Sequence, residues 1–202
     1  MTPNYFEFFD LPVSFLLDEQ QLKQRFLRNS KRYHPVFYTL ATSHEQQLGQ
    51  RYVRNSNRYR PDFYTLATAD EQEYALQMAT LNNEAYRTLA SQDQRIMYVL
   101  QLKNIINDNE RYQLPSDFLM EMIDLNEAID DLLPDSTAQQ YQHIQQELQK
   151  YIDQLQDDTQ KLLVAYNQTP DTATILEKIK KNHYKMKYLL RIQEKLLTFA
   201  PQ

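Results

Sequence analysis

One glycine, Gly49, is all that this 202-residue chain contains. Tight hairpins and most sheet topologies draw on glycine wherever the backbone must take positive φ, so a chain this poor in it is built most readily from long helices. The prolines act as punctuation. Pro12, Pro35, Pro115, Pro134 and Pro170 fall between apolar-periodic stretches, where a ring lacking an N–H ends a helix. The predicted fold class is all-α. With 42% hydrophobic residues the chain can bury a core, and its length suits one elongated domain or two small ones.

The absence of cysteine removes disulfides, thiolate zinc sites, Cys-ligated iron-sulfur clusters and thiol catalysis together. Of the four histidines, His34 is expected in the loop after a helix, His44 immediately precedes the second copy of a repeated segment, and His143 and His183 stand singly on helices without a metal-binding spacing. One glycine leaves no phosphate-cradling loop. No catalytic constellation, metal site or cofactor is expected. The opening MTPNYFEFFDLP lacks the basic start and apolar run of a signal peptide, and no segment reaches the roughly 18 apolar residues of a membrane span. A cytoplasmic protein without membrane contact is the expectation. The net charge of −5 is unevenly spread: Lys23, Arg25, Arg28, Lys31, Arg32, Arg51, Arg54, Arg58 and Arg60 are opposed over that stretch only by Glu45. Such a cationic stretch speeds encounter with acidic surfaces. Nucleic acid ranks low as the partner, because the rest of the chain is acidic.

Helices are expected throughout. An aromatic turn, NYFEFFDLP, comes first; Asp18 then caps a helix that carries Leu22 and Phe26 and ends near Tyr33. A third helix starts near Asp70, an N-cap candidate with Glu73 three residues on, and carries Tyr74, Met78, Leu81, Ala85 and Leu89 at a 3.6 period. A short fourth helix begins at Arg95, and NDNERYQLPS reads as a linker. Beyond it lie three amphipathic helices. Ser116 caps the first, Ser136 or Thr137 the second, and residues 167–170 turn into the third. The second presents Tyr141, Ile144, Leu148, Ile152, Leu155, Leu162 and Tyr166. The third presents Ile175, Ile179, Met186, Leu189, Leu190, Leu196 and Leu197. Short connections make such neighbours antiparallel, so residues 115–202 are predicted to form a three-helix bundle after a separate helical unit over 1–107.

A segment of the first unit is written twice. Residues 19–44, EQQLKQRFLRNSKRYHPVFYTLATSH, and 45–70, EQQLGQRYVRNSNRYRPDFYTLATAD, match at about 18 of 26 positions without a gap. A solenoid needs three or more units, so two indicate a tandem duplication. Either copy could be the helix preceding the third: copy one follows the aromatic turn directly and lacks Gly49, whereas copy two leads straight into the third helix. The surplus copy is expected to dock on the side or to exchange between two chains as a homodimer.

The aromatic opening, the basic helix ending KRYHP and the later LNNEAYRTL resemble a J-domain, the helical module by which co-chaperones stimulate DnaK-type ATPases. LPSDFLMEMIDLNEAIDD and the helices after it resemble the C-terminal domain of HscB-type co-chaperones of iron-sulfur cluster assembly. The resemblance implies a J-domain that engages an HscA/DnaK-type chaperone and a bundle that holds an IscU-type scaffold protein. The family signature, His-Pro-Asp, is divided here: His34-Pro35-Val36 lacks the acid, and Arg60-Pro61-Asp62 lacks the imidazole. If residues 45–60 run back as a helix, about 24 Å separates the loops, too far for one composite site. Chaperone contact is expected from Arg25, Arg28, Lys31, Arg32, His34, Pro35, Arg60, Pro61 and Asp62, with stimulation impaired by the split.

The helix over 116–133 carries two apolar stripes. At about 100° per residue from Phe118, Met122, Leu125, Ile129 and Leu132 stay within roughly 40° and form the core face, while Leu119, Ile123 and Met120 fall near 100°, 140° and 200°. With Asp124, Glu127, Asp130 and Asp131 around it, the second stripe has the apolar centre and acidic margin of a protein-binding surface. Leu119, Met120, Ile123 and Tyr188 match the positions at which HscB-type proteins hold the scaffold, and Asp124, Glu127 and Asp131 match or approximate its acidic positions. The expected function is a non-enzymatic adaptor between scaffold and chaperone. A helical interaction protein that does not stimulate the chaperone is the rival.

Overall fold

The computed structural model describes residues 3–33, 69–107, 110–132, 138–168 and 172–199, and these are helical with short connections. In order they form α1 (Tyr5–Phe8), α2 (Glu19–Tyr33), α3 (Ala69–Ala90), α4 (Gln92–Leu102), α5 (Ser116–Asp130), α6 (Ala138–Tyr166) and α7 (Thr172–Leu197). The chain divides into two compact units, Met1–Arg95 and Ile96–Gln202.

Glycine's work at helix ends is done by two other residues. After α1, Asp10 takes φ 52°. Its N–H bonds Glu7 O at 3.1 Å while Leu11 N bonds Phe6 O at 2.9 Å, the paired bonds of a Schellman stop. Asn104, at φ 56°, repeats the device after α4: its N–H reaches Gln101 O and Ile105 N reaches Leu100 O, both at 2.9 Å. Asp and Asn tolerate this left-handed region better than other side chains do. At the front of α1, Asn4 and Glu7 form a reciprocal capping box.

In the first unit, α2 packs on α3, as does α1. Asp18 Oδ1 accepts from Gln20 N at 2.8 Å and Gln21 N at 3.1 Å, so the helix begins at its expected cap. Leu22 is buried with Phe6, Phe9 and Phe15 of the N-terminal segment and Ala75, Ala85 and Leu89 of α3. Phe26 stacks on Tyr86 at 4.3 Å, and Tyr33 stacks on Phe8 and meets the edge of Tyr74. Polar bonds fix the register. Asn29 Nδ2 donates to Phe8 O, and buried Asn82 donates to Phe26 O and Ser30 Oγ. The helix seated on α1 and α3 is therefore that of copy one. Arg95, also buried, donates to Phe15 O at 2.8 Å and to Leu89 O; burial lowers its pKa, with Glu19 opposing.

In the second unit, α6 and α7 pack along each other and α5 lies against both. Asn182 Nδ2 donates to Thr159 Oγ1 at 3.2 Å, which pairs a point just before the 167–171 connection with one just after it, so α6 and α7 run antiparallel. The bundle core joins Phe118, Met122, Leu125, Ile129 and Leu132 to Tyr141, Ile144, Leu148, Ile152 and Leu155, and to Leu189, Ile192 and Leu196.

Several expectations need correction. α4 begins at Gln92 rather than Arg95, and Asp70 lies within α3 rather than at its N-cap. Pro115 is the N-cap of α5 and no side chain caps it, so Ser116 is the first helical residue. On α6, Leu163 is fully buried while Leu162 and Tyr166 are half-buried. On α7, Leu190 and Leu197 are exposed, Ile175 and Met186 are half-buried, and Leu176 and Ile192 are buried instead. The physical reason is that α7 has two inner faces. Buried Leu176, Ile179, Lys180 and His183 point about 90° from Ile175, whereas Leu189, Ile192 and Leu196 point roughly 150° away from them. A single phase carried from Ile175 fails beyond its middle.

Lys180 explains the first of those faces. Its ammonium donates to Ile105 O at 2.9 Å and pairs with Glu110 Oε1 at 2.5 Å, fastening the segment before α5 onto α7. Beside it Tyr112 and Tyr184 stack at 4.4 Å, nearly parallel. Burial pulls the Lys180 pKa down, but hydrogen bonding and charge from Glu110, with Glu177 and Tyr184, outweigh it and hold the pKa above the ordinary lysine value. Burial also raises both phenols.

Candidate partner-binding face

The inner stripe of α5 disappears into the bundle and leaves the other side of the helix to be accounted for. Met120 is 69% exposed and Ile123 50%, while Met122 between them has no exposed surface. Asp124, Glu127 and Asp131 are exposed beside them. Asp130, on the Leu119 side, is engaged: Lys195 Nζ of α7 lies 2.6 Å from its carboxylate.

Leu119 and Tyr188 stand differently from their expected outward aim. Both are half-buried and packed against the bundle core. Asn126 is the cause for Tyr188. Its Nδ2 donates to Met122 O at 2.8 Å and to the Tyr188 hydroxyl at 3.3 Å, while the Tyr188 ring meets Phe118 edge-on at 5.8 Å. On the helical wheel Asn126 lies about 80° from Phe118, next to Leu119 at about 100°, so α7 closes over that flank. The uncovered apolar stripe narrows to Met120 and Ile123, with Leu119 and Tyr188 forming a rigid edge.

Sequence reasoning missed Asn126 and Lys185. Lys185 Nζ lies 4.6 Å from the centre of the Phe118 ring, a cation held over an aromatic face. Burial depresses its pKa first, Lys181 adds to that, and Asp117 and Glu121 oppose. A polar residue at the wheel angle of Leu119 was the available signal for Asn126; nothing local marks Lys185. On the other side of α5 an open groove of about 430 Å³ runs along α6, lined by Glu121, Asp124, Leu125, Glu147, Lys150, Tyr151 and Gln154. It is an extension of the acidic margin rather than an enclosed ligand pocket.

The other predicted contact set lies on α2 and beyond. Arg25 and Arg28 converge on Asp10 Oδ2, at 3.1 and 2.9 Å. Lys31 and Arg32 are exposed in the last turn, with the Arg32 guanidinium 5.5 Å from the Tyr33 ring. His34, Pro35, Arg60, Pro61 and Asp62 lie outside the described residues. His183 is buried on α7 and His143 is exposed, 3.7 Å from Glu147.

Residues 114–197, which include α5 and α7, match the family model described as HSCB C-terminal oligomerisation domain. The chain is 30% identical over 128 residues to the co-chaperone protein HscB homolog of Vibrio cholerae, covering 63% of this chain and 60% of that one. It is 26% identical over 196 residues to the human iron-sulfur cluster co-chaperone protein HscB, covering 96% of this chain and 68% of the relative. In sequence the chain is thus similar to co-chaperones named HscB, most specifically over its C-terminal residues 114–197. The match spans about 60% of the length of the Vibrio relative. Among solved structures, human co-chaperone protein HscB superposes with a TM-score of 0.67 at 23% identity, over 98% of this chain and 82% of that one. That likeness is one of fold: a J-like N-terminal unit and a helical C-terminal bundle.

Proposed function

We propose that this protein is a co-chaperone of iron-sulfur cluster assembly that holds an IscU-type scaffold protein on the outer face of α5 and brings it to an HscA/DnaK-type ATPase. The observation that carries the reading is the pair Met120 and Ile123, uncovered on a helix whose other stripe is fully used, inside the span that matches the HscB C-terminal domain. Apolar side chains in water next to exposed carboxylates favour a partner with an apolar anchor and a basic rim. The names of the relatives support the iron-sulfur context. The role is that of an adaptor rather than a catalyst: two binding events are coupled and ATP hydrolysis occurs in the chaperone. No described helix is long and apolar enough to cross a membrane.

Chaperone contact is assigned to Lys31 and Arg32 at the end of α2 and to the two halves of the divided signature, His34-Pro35-Val36 and Arg60-Pro61-Asp62. Single-turnover ATP hydrolysis by the chaperone, with scaffold present, tests the reading. Addition of the protein should accelerate hydrolysis, and Val36→Asp or Arg60→His should accelerate it further by restoring a whole signature. No acceleration by the wild type or either variant would remove the chaperone from the proposal.

A second reading, a scaffold-binding helical protein that does not stimulate the ATPase, is favoured by the divided signature and by Arg25 and Arg28 being spent on Asp10. It predicts scaffold binding with no ATPase response in all three proteins. Association of two copies through the duplicated segment belongs to this reading and would appear as a dimer in solution scattering.

A further inference from the structure

The contacts of α2 allow the repeat to be tested residue by residue. All but one of the α2 side chains that grip α1, α3 or Asp10 recur 26 positions later: Leu22 as Leu48, Arg25 and Arg28 as Arg51 and Arg54, Asn29 and Ser30 as Asn55 and Ser56, and Tyr33 as Tyr59. Phe26, which stacks on Tyr86, becomes Tyr52 and keeps its ring. The other differences within the helix, Lys23 to Gly49, Leu27 to Val53 and Lys31 to Asn57, all fall where α2 faces solvent. Apart from that ring-conserving change, divergence is confined to positions the seat does not read.

We infer that the seat built by α1 and α3 accepts either copy, with residues 45–59 of the same chain as its second occupant. Exchange transfers 26 residues from the connection after the seated helix to the one before it. The number of residues between α1 and the seated helix changes from 10 to 36, and that between the seated helix and α3 from 35 to 9. Closure cost grows only with the logarithm of length, so these changes nearly cancel. The helices themselves decide the balance. Gly49, Val53 and Asn57 lower helix propensity by about tenfold in the equilibrium. Replacing the Asp18 cap by His44 costs about fivefold more. Copy one is therefore the resident by roughly fiftyfold. The exchange also decides which half of the signature follows the seated helix in sequence: His34-Pro35-Val36 in one state and Arg60-Pro61-Asp62 in the other.

The test uses the full chain, which has no native cysteine to confuse labelling. In Asp10→Cys/Arg54→Cys, a short bismaleimide should give an intramolecular crosslink that forms at least tenfold faster once Leu22→Asp evicts copy one. The crosslink should fall to background when Leu48→Asp is added. The thermal transition of the N-terminal unit should survive either Leu22→Asp or Leu48→Asp and vanish only in the double variant. Crosslinking insensitive to both substitutions would overturn the inference, as would loss of the transition in Leu22→Asp alone. A product of twice the monomer mass would place the second occupant on another molecule and overturn the intrachain assignment.

Discussion

α2 and α5 are both 15-residue amphipathic helices, and each was expected to present its outer side to a partner. They differ in what the rest of the chain does with that side. On α2 the fold itself takes part of the charge: Asp10, set at positive φ by the stop after α1, draws in Arg25 and Arg28. On α5 the outer Met120 and Ile123 receive no cover, although burying either would be worth about 1.5 to 3 kcal/mol. A charge that its own chain has engaged is weak grounds for a partner; an apolar side chain left in water on a fully packed helix is stronger grounds.

The sharpest way to break this comparison is to truncate neighbours on α5. Met122→Ala should cost the bundle about 2 to 5 kcal/mol in chemical denaturation, because a cavity opens in a core with no exposed surface there. Met120→Ala should stay within about 0.5 kcal/mol of wild type. Equal losses would mean that the outer stripe is structural after all.

Next in size is Lys180→Met, which leaves Glu110 partly buried without its cation and should destabilise the second unit by about 1 to 3 kcal/mol. It also carries a pH signature. Lys180, Tyr112 and Tyr184 all have raised pKa values, so the folded unit binds more protons than the unfolded chain above their ordinary values of 10.5 and 10.0. Stability is accordingly full below about pH 10 and falls as pH rises through the folded values. Alkaline titration followed by circular dichroism should show this fall, less steep in Lys180→Met.

The smallest effect belongs to α2. Asp10→Asn removes both surface ion pairs yet should cost under about 1 kcal/mol, and less at high salt. A larger loss would make Arg25 and Arg28 structural residues and count further against the chaperone contact expected of them from sequence.

Much of the fold was legible because local signals agreed: scarce glycine, proline stops, the Asp18 cap and the apolar stripes of α2, α5 and α6. The α7 pattern was not, since its two halves serve different surroundings, and one wheel cannot register a change in what the helix faces. Half of the candidate site was legible for the same reason. Met120 and Ile123 could be placed by angle, whereas Leu119 and Tyr188 are drawn inward by Asn126 and Phe118, contacts between α5 and α7 that depend on tertiary packing. Which copy of the repeat is seated was undecidable from sequence because the contacting residues are the ones that repeat.

The central claim is that the uncovered stripe of α5 holds the scaffold. Calorimetric titration of an IscU-type scaffold protein into the full chain and into Met120→Ala/Ile123→Ala tests it directly. The account predicts at least tenfold weaker binding with an unchanged thermal midpoint, the loss expected for central interface anchors. Unchanged affinity in a folded variant would contradict it.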